Sequence, residues 1–167
     1  MRRFIVPVTA VCVALLAGAQ APAPAQQPAA APPIPPPFTY GAPITLDQAK
    51  KAAAGAEAEA KKRNQNMAIA VVEPTGDLVY FQKMDGAQYA AIKISQAKAV
   101  SAATFGRSTK IFRERVASHD LSPMALAGAV ASDGGVPIVV DGKTIGAIGV
   151  SGGSDDPIAQ AGADALK

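Results

Sequence analysis

Three short stretches of this 167-residue chain carry residue types that could do chemistry. In Lys98-Ala-Val-Ser-Ala-Ala-Thr-Phe105, positions 98, 101, 102 and 105 stand at i, i+3, i+4 and i+7. A helix would align them as a stripe of a cation, a hydroxyl, a small gap and an aromatic ring, with Thr104 as a second hydroxyl alongside. In Gly149-Val-Ser-Gly-Gly153 a glycine-rich turn runs into Asp155-Asp-Pro157, where acidic residues and proline open a helix. Free backbone N–H groups converging at such a turn suit an anion, and Ser151, Gly152 and Gly153 are the residues that would offer them. His119, the one histidine, is the conventional metal ligand by chemistry and sits between Ser118 and Asp120 in a polar loop. Each stretch also has a plainer reading. Lys98 can snorkel at a helix edge while Ser101 bonds back to the preceding turn, the glycines can simply permit a tight turn, and a loop histidine can be solvated.

Enzyme motifs are tested by what they lack. Gly149 to Gly153 matches G-x-S-x-G, yet that mechanism needs a histidine after the serine, and His119 precedes it. No H-E-x-x-H, C-x-x-C or phosphate-binding G-x-x-x-x-G-K occurs. No acid–base pair is evident either, since Glu57 and Glu59 are two apart on a helix and do not face each other.

The elements that must position these residues are legible from periodicity. Thr45-Leu-Asp-Gln48 is a capping box opening a helix to about Arg63, with Glu57 and Lys61 paired on its wet face. Gly55 inside it weakens the helix by about 1 kcal/mol and suggests close approach of another element. Met67 to Val72 reads as a buried strand, and Pro74-Thr-Gly-Asp77 turns the chain into Leu78 to Met84, with Leu78, Tyr80 and Gln82 facing opposite to Val79, Phe81 and Lys83. A second helix spans Gln88 to Phe105 and stops at Gly106, and a third runs from Thr109 to Ala117 with Ser108 as a candidate cap. After a loop over 119–127, residues 126–131 suggest a short strand. Val136 to Val140 and Ile145 to Val150 then form a hairpin about Asp141-Gly142, the second strand buried on both faces. Two hairpins with intervening helices make an α+β fold, an antiparallel sheet with the helices gathered on one side.

Met1-Arg-Arg3, an apolar run from Phe4 to Ala17 and small residues up to Ala25 read as a signal peptide over 1–25. The run is too short for a comfortable membrane span, and it contains the one cysteine, Cys12. The expectation is an exported protein, periplasmic or extracellular, with no membrane span and no thiol in its mature chain. Residues 26–38, rich in Pro, Ala and Gln, suit an extended linker, and the domain covers 39–167. Without Arg2 and Arg3 the chain holds 14 basic and 13 acidic residues, scattered rather than striped, which speaks against nucleic acid as a partner.

The order of motifs resembles the haem-degrading domain family of GlcG-like and HbpS-like proteins. The likeness rests on "AIAVVEPTGDLVYFQKMDGA", "KISQAKAVSAATFGRSTKIF" and "GGVPIVVDGKTIGAIGVSGGSDDPIAQAG", and it covers Ile44 to the C-terminus. It implies a profilin-like sheet with flanking helices, a homo-oligomer, and haem or a related tetrapyrrole as cofactor. On that resemblance the site would lie between the second helix and the SGG turn. Ser101, Thr104 and Phe105 would line it, Lys98 and Arg107 would meet the propionates, Ser151 to Gly153 would close it, and His119 is a candidate axial ligand, with Met67, Met84, Met124 or a tyrosine or threonine oxygen as alternatives. Sequestering or sensing haem is the function this implies. Alternatives are an enzyme degrading haem or acting on a small organic acid, and an interaction module in which a ligand is incidental.

Overall fold

The computed structural model describes residues 39–167; the expected signal peptide and linker lie outside the described residues. The domain is a four-stranded antiparallel sheet with four α-helices. In chain order these are α1 (Leu46–Lys62), β1 (Ala68–Val72), β2 (Leu78–Lys83), α2 (Tyr89–Phe105), α3 (Lys110–Ala117), a 3-10 turn (Ser122–Ala125), β3 (Gly135–Val140), β4 (Lys143–Ser151) and α4 (Asp155–Asp164). The sheet order is β2-β1-β4-β3, which places the two hairpins side by side with β1 and β4 at the centre. Among the described residues no helix is long and apolar enough to cross a membrane.

Local chemistry set most of these boundaries. Thr45 and Gln48 form the reciprocal capping box, the Gln48 amide donating to Thr45 Oγ1 at 3.3 Å and the Thr45 amide to Gln48 Oε1 at 3.0 Å. Gly106 ends α2 in the left-handed region, at φ 58°. Asp141 and Gly142, at φ 50° and 72°, give the β3–β4 hairpin the double positive φ of a type I′ turn.

The helices occupy both faces of the sheet rather than one. Buried alanines of α1 (Ala49, Ala52, Ala53, Ala56, Ala60) pack with Ile158, Ala159 and Ala163 of α4 against Ile69, Val71, Ile148 and Val150. On the other face Ala99, Ala102 and Ala103 of α2 meet Ala70, Val72 and Ala147. The one-sided expectation fails because α2 is apolar on most of its circumference, so its pattern says nothing about which face it covers. The flanked sheet implied by the family resemblance is the one observed.

Small residues let these layers close to backbone distance. A β-carbon at Gly149 would meet the Ser95 carbonyl oxygen and the Ala99 amide of α2. The neighbour that Gly55 anticipates is α4 of the same chain, where a β-carbon would lie 2.8 Å from Ala165 Cβ and 3.1 Å from the Ala161 carbonyl oxygen. The Ala-rich face of α1 is likewise consumed in the chain's own core.

Two departures from simple alternation are bulges. The β1–β2 register shifts between Val71 and Val72, leaving Val79 as the extra residue, and Val79 and Tyr80 both pack on the α1–α4 face while Phe81 packs on the other. The β3–β4 register shifts between Ile138 and Val139 in the same way, and Ile145 joins Ile148 on the α1–α4 face. The short strand expected over 126–131 is absent. Gly128 turns with φ 81°, and the Val130 amide donates to Ser101 Oγ at 3.1 Å instead of to a ladder.

Candidate functional site

Asp155, the first residue of α4, is the hub of the glycine turn. Its Oδ1 accepts the amides of Gly152 at 2.9 Å and Gly153 at 2.8 Å. Its Oδ2 accepts the Lys98 ammonium at 2.6 Å. Lys98 is 1% exposed and also donates to the Val150 carbonyl oxygen at 3.2 Å. The turn is therefore an anion nest as its composition suggests, and the anion it holds is the chain's own carboxylate. Lys98 does not sit at an open edge. Burial at a desolvated site requires a partner, and Asp155 supplies it, so this cation is a tie between α2, β4 and α4 rather than a group presented to a propionate. Gln65 clamps the same turn, its Oε1 accepting the Ser154 amide at 2.8 Å and its Nε2 donating to Ser154 Oγ at 3.1 Å.

The stripe on α2 faces inward. Ser101 and Ala102 are fully buried. Phe105 makes an edge-to-face contact with the buried Phe112 of α3, centroids 5.1 Å apart. This contact pins α3 to α2. Thr104 is exposed, and its carbonyl oxygen, like that of Ala103, accepts the Tyr40 hydroxyl. Arg107 is half-buried and donates through Nε to the Phe105 carbonyl oxygen at 3.3 Å. Ser151 remains in β4, is 6% exposed and takes no positive φ, so it is not the strained nucleophile that G-x-S-x-G describes.

Outside the turn lies a cleft of about 280 Å³, lined by Arg113, Ser132, Asp133, Ser154 and Asp156 beside Asp155. Its carboxylates are each matched by a cation: Arg113 Nε meets Asp133 at 2.5 Å, and Lys110 meets Asp156 at 3.3 Å. Three carboxylates crowd this cleft and Pro157 is its one apolar side chain, so it suits a tetrapyrrole poorly. Arg113, Lys110 and Asp155 are functional candidates that periodicity overlooks. The signal available for Asp155 is its place directly after two glycines at a helix start.

A different segment offers the donor types haem uses. His119 occupies the turn after α3 at φ 67°, exposed, its amide donating to the Val116 carbonyl oxygen at 3.0 Å. The following residues are held in place by Arg115, which pairs with Asp120 at 2.7 Å and donates to Ser122 Oγ at 2.6 Å. The Ser122 hydroxyl, then its amide, then the Arg115 guanidinium lower the Asp120 pKa to about 2. Pro123 is buried beneath, while Leu121, Met124 and Leu126 are 63%, 69% and 43% exposed. An imidazole, a thioether and two leucines thus stand outward within eight residues, on a segment fixed by its own ion pair. These are side-chain types that haem sites use, presented here on a surface shelf rather than in an enclosed slot. Among the described residues no group of three or more His, Cys, Asp or Glu is arranged to hold a metal ion.

Residues 44–164 match the family described as "Haem degrading protein HbpS-like". GlcG of Escherichia coli strain K12 is 40% identical over 85 residues, 51% of this chain and 63% of GlcG, so the match spans less than two thirds of that relative's length. Among solved structures, Klebsiella pneumoniae protein ORFY superposes with a TM-score of 0.70 at 29% identity, covering 80% of this chain and 97% of that one. A double mutant of Streptomyces reticuli HbpS gives 0.69 at 29% identity, covering 84% and 99%.

Proposed function

The chain belongs to the HbpS-like haem degrading protein family, and from that premise we propose that it is an exported haem-binding protein, periplasmic or extracellular, that sequesters or senses the tetrapyrrole. The observation that carries this reading is the family match over residues 44–164. The shelf after α3 supports its location: His119 would hold the iron, and Leu121 and Leu126 would cover apolar ring surface. Lys110 and Arg113 on α3 would meet the propionates, because their present ion pairs are half-exposed and such pairs are exchanged at little free-energy cost. Bound haem would bring its own redox-active iron, so the chain need supply only binding and orientation. A homo-oligomer belongs to the same reading.

Hemin titration of the full chain, followed by visible absorption, tests it. A saturable Soret shift near one haem per chain is expected, weakened roughly tenfold or more by His119→Ala, the scale on which a metal site responds to one lost interaction. A non-saturating shift rejects specific haem binding. Unchanged affinity in His119→Ala removes the shelf as the site. Adding ascorbate separates binding from turnover: a persistent Soret band fits a binder, and its loss with iron release fits the degrading enzyme. Sedimentation at the mass of one chain would remove the oligomer.

A further inference from the structure

A second cleft, of about 430 Å³, lies between the C-terminal half of α1 and the end of β2, and through Asn66 it adjoins the glycine turn, where a β-carbon at Gly152 would come within 2.6 Å of the Asn66 backbone carbonyl oxygen. One of its walls is already neutralised. Glu57 pairs with Lys61 at 2.6 Å and accepts the Gln82 amide at 2.9 Å. These contacts, Lys61 first, hold its carboxyl below the ordinary range. The remaining polar groups are not matched in this way. The carboxylate of Asp85 and the side-chain amide of Asn66 have no hydrogen-bond partner among the described residues. The Lys83 ammonium has only the Met84 carbonyl oxygen, at 3.4 Å, and the Tyr89 ring, 5.7 Å from its centroid. Asn66 and Asp85 are both exposed at the mouth of the cleft. Gly86 turns at φ 77° beside Asn66, and a β-carbon there would come within 2.9 Å of Asn66 Nδ2. The thioether of Met84, which accepts the Met67 amide at 3.4 Å, adds an apolar element to the same lining.

The unmatched groups are thus one cation, one carboxylate and one amide that can both donate and accept. A dicarboxylate would bring its second charge against Asp85 and Glu57, and a diamine would bring one against Lys83 and Lys61. A molecule carrying one charge of each sign a bond or two apart complements the set. We propose that this cleft binds a small α-amino acid as its zwitterion, the ligand carboxylate meeting Lys83 and the Asn66 NH2, and the ligand ammonium meeting Asp85 and the Asn66 carbonyl oxygen. The site is separate from the shelf after α3 and does not depend on haem.

Amide-resolved NMR titration of the full chain tests this with L-alanine, and with propionate and ethylamine as its two halves. L-Alanine is expected to give saturable shifts centred on residues 83–86 by ~10 mM, the range of a weak small-molecule site. Propionate and ethylamine should each bind at least about tenfold more weakly, and Lys83→Met and Asp85→Asn should each weaken L-alanine by about tenfold or more while the rest of the spectrum keeps its folded dispersion. Propionate binding as well as L-alanine would overturn the proposal in favour of a simple cationic patch. So would the absence of saturable shifts, or L-alanine shifts indifferent to both variants.

Discussion

At the scale of single residues, the Lys98–Asp155 pair is asymmetric in a way that can be measured. Asp155→Ala strands an ammonium that is 1% exposed and also orphans the Gly152 and Gly153 amides. The expected loss is about 3–5 kcal/mol, the usual consequence of removing one partner of a buried pair. Lys98→Met fills the same space with an apolar chain and leaves Asp155 its two amide donors, so its loss should be clearly smaller. Urea unfolding of the two variants reads the difference, and equal losses would mean that the pair acts only through its charge–charge contact. Asp120 makes a pH prediction. Its pKa in the fold, about 2, lies below the ordinary 3.8, so its contribution is present above about pH 4 and is lost as pH falls through 2. Because the group lies at the surface, the effect is local. The protection of the Ser122 amide, its exchange rate relative to that of an unstructured peptide at the same pH, should fall across that window while the rest of the domain keeps its protection. That an anion belongs in the glycine turn is legible from composition. That the anion is Asp155 is not, because only the backbone course from Gly152, at φ 143°, decides where that side chain returns.

At the scale of elements, α2 and β4 are joined through Gly149, and the joint tolerates no side chain. Gly149→Ala would drive a β-carbon into the α2 backbone at Ser95 and Ala99, and more than about 3 kcal/mol of destabilisation is expected, beyond ordinary overpacking. Gly55→Ala meets α4 less severely and gains about 1 kcal/mol of helix propensity in return, so it should lose less than Gly149→Ala in thermal unfolding. Helix ends, caps and hairpin turns were readable because each is decided by a few neighbouring residues, as in Thr45 with Gln48 or Asp141 with Gly142. The bulges at Val79 and Ile145 were not, since a register shift is settled between strands and the period-two pattern looks the same on either side of it. The supposed strand at 126–131 failed for a related reason: Ser101, on another element, captures the Val130 amide.

For the whole molecule, the α+β class and the antiparallel hairpins followed from the order of strands and helices. The placement of helices on both faces did not, because the α2 sequence is apolar around most of its girth. The candidate site was legible mainly as residue types. His119 stood out by chemistry, whereas the inward turn of Lys98, Ser101 and Phe105 depends on how closely α2 can settle on Gly149. That close settling has a thermal consequence. Among the described residues most of the buried apolar ones are alanine, and Phe112 is the one aromatic in that set, so the layers bring peptide groups together while removing little hydrocarbon from water. Apolar exposure raises the heat capacity of unfolding and polar exposure lowers it, so calorimetry should find a value per residue at or below the usual ~12–15 cal/mol/K. The stability of this domain would then bend only gently with temperature, holding through cold and warmth alike where a core of leucine and phenylalanine would pass through a sharper optimum.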